Sequence, residues 1–375
     1  MDKVNLWRKL QPLNTEIHSL LRLGLCPGIG NAYAQKLLTH FGSATAIFDA
    51  STKVLSTHIG TTRASHLKAA ANEQRIQQEL QFIARQEIKP LSILDSDYPQ
   101  KLKEIPDAPY LLFYKGKTTL NARRQIAVIG SRKNTPYGKE ITLELIKGLQ
   151  EYNITVVSGM AYGIDGLAHR AALSGQLPTI GVLGHGLDRI YPSAHNAIAK
   201  EILQQGALLT EYWSETIPDR QNFPMRNRIV AGMTDATIVI ETDIKGGAMI
   251  TAKLALGYNR EVFAVPGRVT DGRSLGCNYL IQTQIAQLVT SADDVLSFLG
   301  WKETQIKSPA QTKLFADLSA GETQILQLMD AKECIHIDEL QLKSGMKSSG
   351  LANILLQLEV QGIISTLPGK RYKLN

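Results

Sequence analysis

The stretch Gln125-Ile-Ala-Val-Ile-Gly-Ser-Arg132 constrains the fold more than any other. An apolar, β-branched run that stops at glycine reads as a strand buried on both faces, as parallel strands are. After the turn come Pro136, Tyr137 and Gly138, and then Ile141, Leu145, Ile146 and Leu149 at helical spacing. A strand that feeds a helix through Gly130-Ser131 aims unpaired amides at one point, backed by the positive end of the helix dipole. The turn is an anion seat, and Arg132 adds a planar cation beside it. A close-packed βα junction with a solvated arginine would look the same, so the rest of the chain has to decide.

From Gln125 to Val265, apolar strands alternate with amphipathic helices. The strands are expected at Gln125–Ile129, Thr155–Val157, Thr179–Leu183, Ala207–Leu209, Ala236–Ile240 and Val262–Val265. This alternation predicts an α/β core, a Rossmann-like doubly wound and mostly parallel sheet, with ligands outside the carboxyl ends of its strands. Residues 1–85 read as a helical domain of helix-hairpin-helix, SAM-like type. In it Cys26-Pro-Gly-Ile-Gly30 separates two helices, and Ile59-Gly60 marks a weaker second copy. The proline-punctuated stretch 86–117 reads as a lead-in with an edge strand, opening a core domain that spans 86–300. Residues 301–318 are polar and read as a linker. Residues 319–375 show three helical segments and then two short strands around Leu367-Pro-Gly-Lys370, the pattern of a small winged helix.

Charge and cysteines bound the function. At 375 residues with a formal net charge of +7 and a pI near 9.1, the chain favours an acidic partner, nucleic acid first. Cys26, Cys277 and Cys334 are odd in number and far apart, giving neither a disulfide framework nor a metal site. The amino terminus has no apolar signal core and no window reaches transmembrane length, so a cytoplasmic protein without membrane contact is expected.

The carboxyl ends of the expected strands collect the unusual residues. The second gives Ser158, Gly159 and Gly163 before Asp165, whose ordinary role is a helix cap or first-turn acid. His185 lies between two glycines with no partner carboxylate, which favours a loop role over general base chemistry. The most informative segment is Arg220-Gln-Asn-Phe-Pro-Met-Arg-Asn-Arg228, where Phe223 sits among Arg220, Arg226, Asn227 and Arg228. Cations interleaved with an aromatic suit single-stranded nucleic acid, because arginines hold phosphates, a ring stacks a base, and neither reads sequence. The bland alternative makes Phe223 a core contact and leaves the arginines solvated or paired. The rim closes at Gly246, Gly247 and Thr251. No Walker sequence and no Gly-x-Gly-x-x-Gly occurs, which argues against a P-loop ATPase and a nicotinamide enzyme.

Gly130-Ser131-Arg132, Ser158-Gly-x-Ala-x-Gly-Ile-Asp165, Phe223-Pro-x-Arg-Asn-Arg228, Gly246-Gly-Ala-x-x-Thr-Ala252 and Val265-Pro-Gly267 follow one another in that order. Together with the Tyr98-Pro-x-x-Leu102 lead-in they resemble the DNA-processing protein A family (DprA, also called Smf) over essentially the whole chain. The resemblance implies a homodimeric protein without enzymatic activity or cofactor. Such a protein binds and protects single-stranded DNA in natural transformation and helps load the RecA recombinase on it. It also implies DNA-pocket roles for Ser131, Arg132, Arg220, Phe223, Arg226 and Arg228. It places the dimer face within Leu254–Leu288, with Leu280 and Ile281 on it, although Gln282-Thr-Gln-Ile-Ala286 departs from the family's usual Gly-Ala turn. The competing class is a nucleotide phosphoribohydrolase on a related fold. Those enzymes carry Pro-Gly-Gly-x-Gly-Thr and a catalytic glutamate, whereas the rim here reads Lys245-Gly-Gly-Ala-Met-Ile-Thr251. A scaffold that only bridges other proteins would leave the Arg/Phe cluster unexplained.

Overall fold

A computed structural model describes residues 15–69, 72–302, 319–329, 334–360, 363–367 and 369–374. The chain divides after Trp301 into two compact units. Almost all of the expected linker, 301–318, lies outside the described residues.

Among the described residues, the first unit opens with six helices: α1 (15–24), α2 (Asn31–Phe41), α3 (Ala44–Asp49), α4 (Thr52–Ile59), α5 (Thr61–Lys68) and α6 (Glu73–Arg85). Their starts are written in the sequence. Ser43, Ser51 and Asn72 each accept a backbone N–H of the first turn of α3, α4 and α6, satisfying a donor that has no partner within the helix. The two hairpin turns are tied together, since Arg63 Nε donates to the Gly28 carbonyl at 3.2 Å while its guanidinium lies over the Tyr33 ring.

The sheet follows. Its strands are β1 (Lys89–Ser92), β2 (Leu111–Gly116), β3 (Gln125–Ile129), β4 (Thr155–Ser158), β5 (Thr179–Val182), β6 (Ala207–Thr210), β7 (Ala236–Val239), β8 (Glu261–Ala264) and β9 (Gln287–Leu288). Its helices are α7 (Gln100–Lys103), α8 (Pro136–Gly148), α9 (Ile164–Ser174), α10 (Asn196–Gln205), α11 (Asn222–Gly232), α12 (Gly247–Gly257), α13 (Leu275–Gln282) and α14 (Ala292–Phe298). The order is β1-β2-β6-β5-β4-β3-β7-β8-β9, parallel from β6 to β9, with β1 and β2 antiparallel at one edge. The chain winds from β3 outward to β6 and then crosses back to lay β7 on the other side of β3. Loops leaving β3 and β7 therefore diverge, and the crevice between them is where a doubly wound sheet takes its ligand.

The helical part and the sheet share one apolar core, running from Leu20 and Leu37 through Leu112 to Val239 and Leu280. Polar contacts close the same seam. Tyr110 Oη donates to the Leu20 carbonyl, Arg75 stacks over Trp213 and reaches the Ser214 carbonyl, and buried Glu79 accepts the Ser214 amide. A boundary near residue 85 is thus a change of texture along the chain, and burial runs straight across it. Leu280 is fully buried within this core, so it is no surface residue of a dimer face. Ile281 and Leu288 remain partly open.

The second unit contains α15 (Ala320–Gln327), α16 (Ile337–Ser344) and α17 (Ser348–Val360), with strands β10 (Ile335–His336), β11 (Ile364–Leu367) and β12 (Arg371–Leu374) in the order β10-β12-β11. Ile325, Leu340, Leu351, Leu355 and Ile364 form its own core. Helices backed by a small antiparallel sheet with a β11–β12 hairpin make it a winged helix.

Candidate nucleic-acid interface

A cavity of about 620 Å³ opens at the switch point, between the carboxyl ends of β3, β4 and β7. Its walls include Gly130, Ser131, Arg132, Gly159, Phe223, Arg226, Asn227, Gly246, Gly247 and Thr251, which the sequence places at separate strand ends. Ser158, Gly163, Arg220 and Arg228 do not line it. Ser158 is buried and donates to the Val128 carbonyl at 2.7 Å, tying β4 to β3. Gly163 forms the turn before α9 at φ +76°, a conformation open to glycine. Arg220 is exposed on the loop before α11.

Phe223 lies within a helix. α11 starts at Asn222, so Phe223 and Pro224 occupy its first turn, where the missing proline N–H costs nothing. The ring is half-buried and has two close neighbours. The Tyr191 ring stacks on it at 5.9 Å between centroids, and the Arg132 guanidinium lies 5.3 Å from its centroid. Arg132 itself is exposed and has no ion-pair partner among the described residues.

The helix also separates two arginines that read as a pair. Residues two apart on a helix point about 200° away from each other. Arg226 turns into the sheet, 4% exposed, and its Nη1 donates to the Gly159 and Val182 carbonyls at the ends of β4 and β5. Any side chain at 159 would collide with that guanidinium. Burial pushes the Arg226 pKa down to about 10, against the pull of Asp165. Asp165 sits in the first turn of α9, accepts the Ala161 amide at 3.3 Å, and is raised by burial in turn, with Arg226 the main opposing influence. Arg228 turns the other way and is buried against Glu211. Neither guanidinium is free in the manner of a surface phosphate clamp.

The anion seat is displaced as well. At the start of α8, the Glu241 carboxylate accepts the Thr135 amide at 2.9 Å and the Thr135 hydroxyl, while Thr135 caps Gly138. The helix terminus beside Arg132 is therefore filled by the protein's own anion. The open one is α12, whose N-cap is Gly246 with no side-chain cap and whose first residues line the cavity. Its free amides and dipole suit a phosphate.

Lys133, Asp243 and Arg273 complete the walls without a prior sequence signal. Arg273 comes from the loop between β8 and α13 and donates from Nη1 to Ser131 Oγ at 3.4 Å. No run or spacing marks it, because its place depends on two loops meeting in space. The cavity thus combines an aromatic face, exposed cations, a helix terminus and an amide side chain, with no metal-binding group of His, Cys, Asp or Glu among the described residues.

The family model described as DNA recombination-mediator protein A matches residues 89–300, and the DprA winged helix domain model matches 308–370. The chain is 34% identical over 336 residues to the putative DNA processing protein DprA of Mycobacterium tuberculosis, covering 86% of each. It is similar to the X-ray structure of DNA processing protein A from Streptococcus pneumoniae, with TM-score 0.67 and 36% identity over 76% of this chain and 97% of that one. It is also similar to DNA processing protein A of Helicobacter pylori, a structure reported for its single-stranded DNA binding mode. There the TM-score is 0.52 and the identity 31%, over 57% of this chain and 95% of that one.

Proposed function

The chain belongs to the DNA recombination-mediator protein A family, and from that premise we propose that it binds single-stranded DNA without regard to sequence. The observation that carries this is the Phe223 ring at the cavity wall, flanked by the Arg132 cation and sharing the cavity with the uncapped start of α12. A base stacks on the ring, a phosphate sits at the α12 amides or Arg132, and none of these groups distinguishes one base from another. The H. pylori relative's single-stranded DNA binding supports the same reading.

In this reading the protein has no enzymatic activity and needs no cofactor. It shields incoming strands during natural transformation and recombination, and helps load a RecA-type recombinase in the cytoplasm. No helix among the described residues is long and apolar enough to cross a membrane. Of the wall carboxylates, Asp165 is buried in the field of Arg226 and Asp243 stands exposed. That arrangement supports binding over the paired-carboxylate chemistry of a hydrolase. A gel-shift comparison of single strands with duplexes of equal length at one salt concentration tests the reading. Clear preference for the single strand is expected, and equal affinity would overturn it.

The protein also acts as a homodimer in this reading, through the β9 edge and α13. Tyr279 and Leu288 are exposed apolar residues there, Ile281 is half-buried, and a short edge strand offers unpaired backbone groups. Ile281→Glu combined with Leu288→Glu should halve the mass seen by light scattering with the fold intact. An unchanged mass would exclude this face.

A further inference from the structure

A second cavity of about 690 Å³ opens between two segments that each also contribute a residue to the wall of the first. Thr135–Tyr137 continue the segment that bears Arg132, and Pro266–Ser274 include Arg273. Tyr137 stands in the first turn of α8, 42% exposed, and its hydroxyl donates to the Pro266 carbonyl at 2.9 Å. That bond spans the two segments and anchors a half-exposed ring at the cavity wall. Arg268 is exposed on the same wall, and its side chain has no hydrogen-bond or ion-pair partner among the described residues. The acid nearby, Asp271, is engaged through Oδ1 with the Arg273 amide at 2.9 Å.

The two cavities therefore offer alternating rings and cations: Phe223 of α11 with Arg132 and Arg273 in the first, and Tyr137 with Arg268 in the second. A strand of stacked bases joined by phosphates has the same alternation. We propose that the second cavity seats a further base of the same strand, stacked on Tyr137, with Arg268 at its phosphate and Arg273 at the phosphate between the two bases. A small polar ligand fits less well, because the Tyr137 hydroxyl is already committed and the lining offers an open ring and a free cation. This inference rests on the single-strand reading of the first cavity.

Oligothymidylates of increasing length, titrated by fluorescence anisotropy, separate the two seats. For the parent protein, affinity should rise from lengths that fill only the Phe223 seat to lengths that reach Tyr137. Tyr137→Leu should lose roughly five- to hundredfold on long oligomers and nothing on the shortest. Tyr137→Phe, which keeps the ring, should bind like the parent. Arg268→Ala should lower the log–log salt slope by about 0.7, again on long oligomers alone. Because Arg268 is a surface side chain, this variant keeps the test open should Tyr137→Leu melt. Long oligomers bound by Tyr137→Leu and Arg268→Ala as tightly as by the parent would remove the second seat and leave the first. A parent that binds no oligomer at any length would remove both.

Discussion

An Arg226→Ala protein is expected to lose about 3–5 kcal/mol of stability, the usual cost of removing one partner from a buried charged network. The guanidinium holds the carbonyl ends of β4 and β5 together and lies within the field of buried Asp165. Its removal strands two carbonyls and deprives Asp165 of the influence that most lowers its pKa. The pH dependence follows with a definite sign. Burial already raises the folded-state pKa of Asp165, so its burden is absent below the ordinary carboxyl range and grows as pH rises through the folded value. Without Arg226 that value climbs further, so the stability gap between parent and variant should widen from acid toward neutral pH. Urea denaturation at several pH values measures it. A variant as stable as the parent, but with a flatter salt dependence of DNA binding, would make Arg226 a phosphate ligand instead.

Arg132→Ala and Phe223→Ala should fail in different ways. Losing one phosphate contact lowers the log–log salt slope of single-strand binding by about 0.7, and that is the expected signature of Arg132→Ala. Losing one stacked base costs about 1–3 kcal/mol with the slope nearly unchanged, the expected signature of Phe223→Ala. The two side chains touch, with the guanidinium over the ring, so their effects should not simply add. Were Phe223 only a packing contact with Tyr191, its truncation would lower the melting temperature and leave the affinity of the folded protein alone. Melting curves and salt-titrated affinities on both variants distinguish these outcomes.

Much of the core is legible along the chain, because parallel strands buried on both faces leave continuous apolar runs. Gln125–Ile129 is the first core strand to the residue, and the other five expected strands fall within one residue of β4 to β8 at either end. Burial across the sheet explains why, since every β3 position is buried. The site is less legible. Glycines and the aromatic announce its rim, but composition does not say which arginine turns inward. The helical phase of α11 decides it, putting Arg226 into the sheet and Arg228 against Glu211. Glu241 and Arg273 escape for a different reason. Each acts on a segment more than a hundred residues away, a relation that no local pattern encodes.

Glu241 also bears on competition inside a cell crowded with free nucleotides. Doubly wound folds commonly capture nucleoside diphosphates and triphosphates on the helix that follows the first strand. Here a carboxylate is locked into that position, so a compact cluster of phosphates meets an occupied terminus and a like charge. A DNA strand carries one charge per nucleotide and spreads them along its length, so it can use the open α12 terminus and the flanking arginines while passing Glu241 by. On the proposed reading, one buried glutamate lets the pocket ignore the abundant monomers and wait for the scarce polymer.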